Sequence, residues 1–398
     1  MKPQRLLIQI VLRTFNKDRL NMEWYFPDGL WQFESDPRYC ISRDMLLSRA
    51  DAARDGLTTL MHIMHREDPT QKQNDNDFIA CVNELILYGR QFFNALLPVD
   101  DEAAQRVTKI LRTRETNYRL HVVLLCEELS IPWGLIFPLP DKIECSDRKE
   151  AESILTHFWA IKYSPIISKH MTQNSKILSK STVLTYTNPH VKEYIKLNRH
   201  IEENVSWKYS QELPNKATSD FNEFKFFLEQ IFRSQSDETI VNLVTHSTAD
   251  GIAISNQKIL TNNQFSSQIA DVLDSIPAPD KLTPPPSIVR KIPFTFWILN
   301  MCGSATVGEK VGITSKLEQN GFQYFMATET IIPTAIGPRI SLEFIYWFKI
   351  NGLNILETID KLIENFGPWM LNYRVFCQPE MKSTDNLGSL KTIVPVIK

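Results

Sequence analysis

Two segments set most of the limits on what this chain can fold into. Residues 240–251 read IVNLVTHSTADG, and residues 294–308 read FTFWILNMCGSATVG. Each opens as an apolar run rich in β-branched or aromatic side chains. Each then reaches one reactive side chain, His246 in the first and Cys302 in the second, and passes into small residues. Such runs have the character of buried strands, and the small residues after them mark turns. The pattern therefore predicts an imidazole and a thiol at the ends of two buried strands.

The surrounding sequence predicts what kind of sheet those strands join. In the second half, strands are expected over 182–186 and 322–327, in addition to the two runs above. Between and after them, helical spacing of apolar residues predicts helices over 191–207, 265–273, 340–350 and 355–366. A further helix carries Phe224, Phe227, Leu228 and Ile231, with Asp220 and Glu223 as its capping box. Repeated strand–helix–strand order implies an α/β fold, a mostly parallel sheet covered by helices on both faces. Reactive groups in such sheets collect at the C-terminal strand ends, where His246 and Cys302 fall. The first half predicts strands over 6–12, 22–26 and 118–125, and helices over 42–67, 78–96 and 101–112. A polar loop is expected at 71–77 and a turn-rich stretch at 131–138.

Composition removes several function classes. The 398-residue chain is 43% hydrophobic and 23% charged, with a net charge of −2. No global field recruits nucleic acid or an anionic membrane, and the basic residues Lys196, Arg199 and Lys208 are interleaved with acids. No apolar run reaches the length needed to span a bilayer. The short apolar stretch near the start reads as a strand and not as a signal peptide. The six cysteines are scattered without a C-x-x-C pair, so neither a zinc site nor a disulfide scaffold is indicated, and a reducing, cytoplasmic location is expected. His62 and His65 share a helical face, but no third metal ligand stands near them in sequence. No phosphate-binding glycine motif appears, which argues against a nucleotide-dependent protein. No cofactor is expected.

A thiol beside an imidazole supports nucleophilic attack on a carbonyl. A free thiol titrates near 8.5, and a neighbouring imidazole at a partly exposed strand end is expected to raise its thiolate fraction. Cys302 would attack, and His246 would protonate the leaving amine. The oxyanion needs backbone donors. Ser247 after the histidine and Gly303 after the cysteine are small enough for the backbone to approach closely. The amides around Ser247 and Cys302 are the expected donors.

Several segments together resemble the CHAT family of caspase-like cysteine peptidases. LNMCGS at 299–304 resembles the family's L-N-A-C-x-S motif. The stretch 244–251 resembles its His-Gly motif, with Ser247 where Gly is usual. LSIPWGLIF at 129–137 resembles an "lPWE-L" segment in which Gly134 replaces the acidic residue. VLTYTNP at 183–189, Glu202 and Glu203, the stretch 320–333, and YRVFCQP at 373–379 follow in the family's order. The resemblance implies a caspase-like, mostly parallel sheet flanked by helices. An N-terminal pseudo-protease half (1–175) would precede a C-terminal protease half (176–398). It also implies hydrolysis of peptide bonds in a protein substrate by a Cys302–His246 dyad without a metal. An activating or regulatory protein would act in trans, with no direct nucleic acid or membrane partner. Bacterial members often serve programmed responses, including antiviral defence. The alternative within the same fold is a catalytically idle domain that serves protein assembly.

Two carboxylates, Asp250 four residues past His246 and Glu329 after the strand that should flank the pocket, read first as solvated loop carboxylates, with contact to the substrate as the functional alternative. Either would favour a basic residue at the cleavage point through a charge-assisted contact. The five-proline stretch 276–287 cannot be regular structure. It is read as a surface crossover, with a regulatory or cleavable loop as the functional alternative.

Overall fold

The computed structural model describes residues 6–27, 37–66, 75–113, 118–126, 131–139, 143–169, 177–178, 181–188, 215–216, 221–233, 238–248, 251–255, 258–275, 294–304, 313–334, 336–377, 379 and 381–383. The expected helix at 191–207, Asp220 of the capping box, Glu202, Glu203, Asp250 and the proline-rich stretch lie outside these residues.

The first part of the chain forms β1 (Leu6–Thr14), β2 (Arg19–Tyr25), β3 (Arg38–Ser42), α1 (Arg43–Arg66), α2 (Asp75–Leu96), α3 (Glu102–Thr113), β4 (Tyr118–Leu125), α4 (Arg148–Leu155), α5 (Trp159–Lys162) and β5 (Ile166–Ser168). It continues with β6 (Ile177–Leu178), β7 (Thr182–Thr187), β8 (Asn215–Lys216), α6 (Phe221–Arg233), β9 (Glu238–Val244), β10 (His246–Thr248), β11 (Gly251–Ser255) and β12 (Lys258–Thr261). The remainder is α7 (Asn262–Ser275), β13 (Phe294–Asn300), α8 (Ile313–Gln319), β14 (Tyr324–Thr328), α9 (Gly337–Ile345), α10 (Ile355–Phe366), β15 (Tyr373–Phe376) and β16 (Lys382–Ser383).

These elements make two compact units. The first holds residues 1–175 together with 329–331 and 356–380, and the second holds 176–328, 332–355 and 381–398. The stretch 356–380, which a single cut after residue 175 assigns to the second half, thus belongs to the first unit.

In the first unit the strand order is β3-β2-β1-β4-β5-β15. The pairs β1–β2 and β2–β3 are antiparallel, whereas β1–β4, β4–β5 and β5–β15 are parallel. β4 is buried along nearly its whole length, as a strand covered on both faces must be. Its two polar side chains are both engaged. Arg119 pairs with Asp360 and donates to the Leu356 carbonyl at 2.9 Å. His121 meets the Ser168 hydroxyl at 2.8 Å. The core beside the sheet is aromatic, with Trp159 edge-on to both Trp24 and Phe93 at 6.4 Å. Gly134 lies in a single 3-10 turn, Trp133–Leu135, where an added Cβ would come within 2.8 Å of the Ala160 Cβ. That approach leaves no room for a side chain at Gly134 unless Ala160 shifts.

In the second unit the strand order is β14-β13-β9-β7-β8, all parallel. Neighbouring residues of β13 show that both faces are covered, because successive side chains point to opposite sides. Phe296 stacks on Phe344 of α9 at 5.2 Å, while Trp297 meets Phe265 of α7 at 6.5 Å and Phe322 at 5.4 Å. The α/β fold with a mostly parallel sheet flanked by helices is therefore observed.

Two local expectations change, and some strands carried no expectation. Residues 75–77 are the first turn of α2 and not loop, with Asp75 and Asp77 complementing the positive end of the helix. The helix expected over 340–350 divides at Ile345, where α9 passes into a π-helical turn, Tyr346–Ile350. β3 and the small antiparallel sheet β10-β11-β12 went unread, because their short runs carry little periodicity. Among the described residues no helix is long and apolar enough to cross a membrane.

Candidate active site

The register of the second unit's sheet brings the two reactive segments together. β13 and β9 are parallel neighbours in which Asn300 pairs with Val244. His246 and Cys302 each lie two residues beyond that last matched pair, at the same edge of adjacent strands. His246 opens the short strand β10, opposite Ala253 of β11, and is exposed. Cys302 is half-buried in the turn that follows β13.

Two bonds tie the two turns to each other, one on each side of His246. The Thr245 amide donates to the Asn300 carbonyl at 3.2 Å, and the Ser247 hydroxyl donates to the Cys302 carbonyl. The histidine turn is braced further by Asn188 at the end of β7. Its amide donates to the Val244 carbonyl at 2.9 Å, and its Nδ2 donates to the Ala253 carbonyl at 2.7 Å.

The cysteine turn has its own brace. The Ser304 hydroxyl donates to the Leu299 carbonyl at 3.0 Å and accepts from the Thr328 amide at 2.9 Å. The Thr328 hydroxyl donates to the Met301 carbonyl. These bonds fold the chain back onto the ends of β13 and β14 immediately after the thiol. Gly303 takes φ = 61°, a left-handed conformation that a side chain would strain, which explains a glycine directly after the cysteine.

Burial pushes the Cys302 thiol above its ordinary pKa. Hydrogen bonds from the Ile332 amide and from its own amide pull in the opposite direction without overcoming burial. The expectation of an enriched thiolate is therefore corrected. Burial thus disfavours the thiolate, and a base that takes the thiol proton would assist attack.

Glu329 is only 3% exposed. Arg374 grips it with two bonds, 2.6 Å from Nε and 2.7 Å from a terminal nitrogen, and Arg54 Nε adds a third at 3.2 Å. A buried carboxylate answered by two guanidiniums is not presented to a substrate, so Glu329 is a structural ion-pair partner in the first unit. His62 and His65 are exposed on α1, and no metal-holding cluster of three His, Cys, Asp or Glu side chains forms among the described residues. All six cysteines are free.

The sequence singles out His246 and Cys302 as candidates but gives no sign of the residues that brace their turns. Asn188, Thr245 and Thr328 are ordinary polar residues at strand ends. Only the sheet order, which places β7, β9, β13 and β14 side by side, reveals what they hold.

No family model matches the chain, and no curated protein matches it. Among solved structures it is similar to a chain of the Saccharomyces cerevisiae separase–securin complex. The TM-score is 0.45 at 10% identity, covering 95% of this chain and 30% of that one. A second crystal structure of the same complex gives a TM-score of 0.40 at 10% identity with the same coverage. The chain thus spans less than a third of the solved chains it matches.

Proposed function

We propose that this chain is a CHAT-type, caspase-like cysteine endopeptidase that cuts a specific protein target with Cys302 and His246. The observation that carries the reading is the strand register. A thiol and an imidazole each follow, by two residues, the last matched pair of two adjacent parallel strands, and the Ser247–Cys302 bond links their turns. The motif resemblance around LNMCGS points the same way.

His246 takes the proton of Cys302 as the sulfur bonds to the carbonyl carbon of the scissile peptide. Negative charge gathers on the carbonyl oxygen, facing amides from the Ser247 and Cys302–Gly303 segments. The C–N bond then breaks, and the proton held by His246 goes to the leaving amine. Water hydrolyses the thioester and restores the thiol. In this reading the enzyme stays latent until a partner protein acts in trans, as in the antiviral responses of bacterial family members. Asp250 remains the candidate for selecting a basic residue at the cleavage point.

Native cell lysate incubated with the wild type and with Cys302→Ala tests the reading through the new peptide N-termini that mass spectrometry detects. Sites seen only with the wild type are expected. Identical N-termini in both samples, in lysate of challenged as well as unchallenged cells, would favour the idle assembly domain.

A further inference from the structure

The small sheet that begins at His246 has two unlike faces. Its cross-strand pairs include His246 with Ala253, between β10 and β11, and Ala253 with Ile259, between β11 and β12. Paired residues of antiparallel strands point to the same face, so these side chains stand in one row. In the neighbouring row Ile252 pairs with Leu260, and both are buried. The row with the imidazole faces outward. His246 is exposed, Ala253 is half-buried and Ile259 is 44% exposed. β12 is drawn close to β11 at Gly251, where an added Cβ would come within 2.7 Å of the Thr261 Cα. The glycine permits that approach and so helps to hold the strand that carries Ile259. A branched apolar side chain thus stands two strands from the imidazole on the same surface, with only the methyl group of Ala253 between them.

We propose that Ile259 is a specificity-determining residue on the leaving side of the site, an apolar wall for the second substrate residue after the bond that is cut. This rests on the cysteine-peptidase reading of the same site. The group that protonates the leaving amine must reach its nitrogen, so the substrate beyond that nitrogen begins at His246. Adjacent strands lie about 4.8 Å apart, which puts Ala253 about 5 Å and Ile259 about 10 Å from His246 across the small sheet. A peptide crossing those strands advances about 3.4 Å per residue. Its second residue then lies over Ala253, with its side chain against Ile259. The substrate class is a protein segment with a leucine-like side chain at that place.

The leaving side can be probed by running the amine inward. Cys302 of the full chain is first acetylated with p-nitrophenyl acetate. The sulfur bonds to the acetyl carbon, p-nitrophenolate leaves, and the thiol proton passes to base. A dipeptide amide then attacks the thioester. Its nitrogen bonds to the acetyl carbon, the C–S bond breaks, and His246 carries the amine's proton to the departing sulfur. The entering amine takes the place that a leaving amine vacates, so its second residue meets the proposed wall. Glycyl-leucinamide and glycyl-serinamide are compared by the rate at which acetyl is lost from the Cys302 peptide, read by mass spectrometry. In the wild type the leucine probe is expected to react about fivefold faster, as a wall on one side of an apolar side chain allows. Ile259→Ser should bring that ratio to about one, and Ile259→Val, which keeps a branched apolar side chain, should preserve it. A ratio near one in the wild type, or an unchanged ratio in Ile259→Ser, would overturn the proposal. The underlying reading is judged by the rate itself. Wild-type aminolysis no faster than that of S-acetyl-N-acetylcysteine, or unaffected by His246→Ala, would overturn the peptidase reading and the proposal with it.

Discussion

Each unit carries a cysteine just beyond a parallel strand and a histidine in its sheet, yet the two make different use of them. In the first unit Cys126 follows β4, and burial pushes its thiol up to about 11. Its nearest histidine in sequence, His121, lies within the same strand. Five residues of extended chain separate the two by roughly 16 Å. His121 is buried against Ser168, and burial lowers its pKa to about 4. In the second unit the histidine and cysteine come from different strands that end at one register position, and His246 is exposed. A thiol and an imidazole become a candidate dyad when the sheet order puts two strand ends side by side. Set five residues apart along one stretch of chain, the same two residue types stay separate, with His121 buried in the core and Cys126 half-buried beyond the strand end. The first unit also closes its polar groups on one another, as the Arg54–Glu329–Arg374 cluster shows.

That contrast can be broken from the first-unit side. Glu329→Gln leaves two buried guanidiniums without their carboxylate. It is expected to cost about 3–5 kcal/mol, read as a lowered denaturation midpoint in urea. A change below about 1 kcal/mol would mean that the cluster is more solvated than its burial indicates.

The buried neutral His121 gives a pH signature of its own. Its folded pKa, about 4, lies below the ordinary 6.5, so the unfolded chain binds more protons between those values. Its contribution to stability is complete above about pH 6.5 and is lost as pH falls toward 4, amounting to about 3 kcal/mol. His121→Gln should flatten the stability profile across that window. An unchanged slope would show that other groups govern acid unfolding.

The smallest effect sharpens the comparison most directly. His246→Ala should slow iodoacetamide alkylation of Cys302 at neutral pH by about tenfold and leave Cys126 unaffected, whereas His121→Gln should alter neither rate. Peptide-resolved alkylation kinetics check both statements. Equal responses at the two thiols would remove the distinction between the units.

Much of this arrangement was legible from residue order. The β-branched runs before His246 and Cys302 announced buried strands, and their abrupt passage into small residues announced turns. Both features come from local covalent and steric preferences, which act over a few neighbours in sequence. The alternation with helical spacing gave the parallel α/β class for the same reason. Glu329 was misread because a carboxylate after a strand looks the same in sequence whether it faces a pocket or a guanidinium. Arg54 and Arg374, which decide the matter, stand far from it along the chain.

By itself, then, the sequence determined the class of fold, the strands on which the two reactive side chains would end, and the small residues beside them. Tertiary structure alone decided that β9 and β13 are neighbours in matching register and that Asn188 and Thr328 brace the two turns. It also decided that the Ser247 hydroxyl reaches the Cys302 carbonyl and that burial raises the thiol's pKa. Strand pairing, desolvation and hydrogen bonds between distant residues depend on distances in space, and those are set only when the strands have paired and the helices cover them.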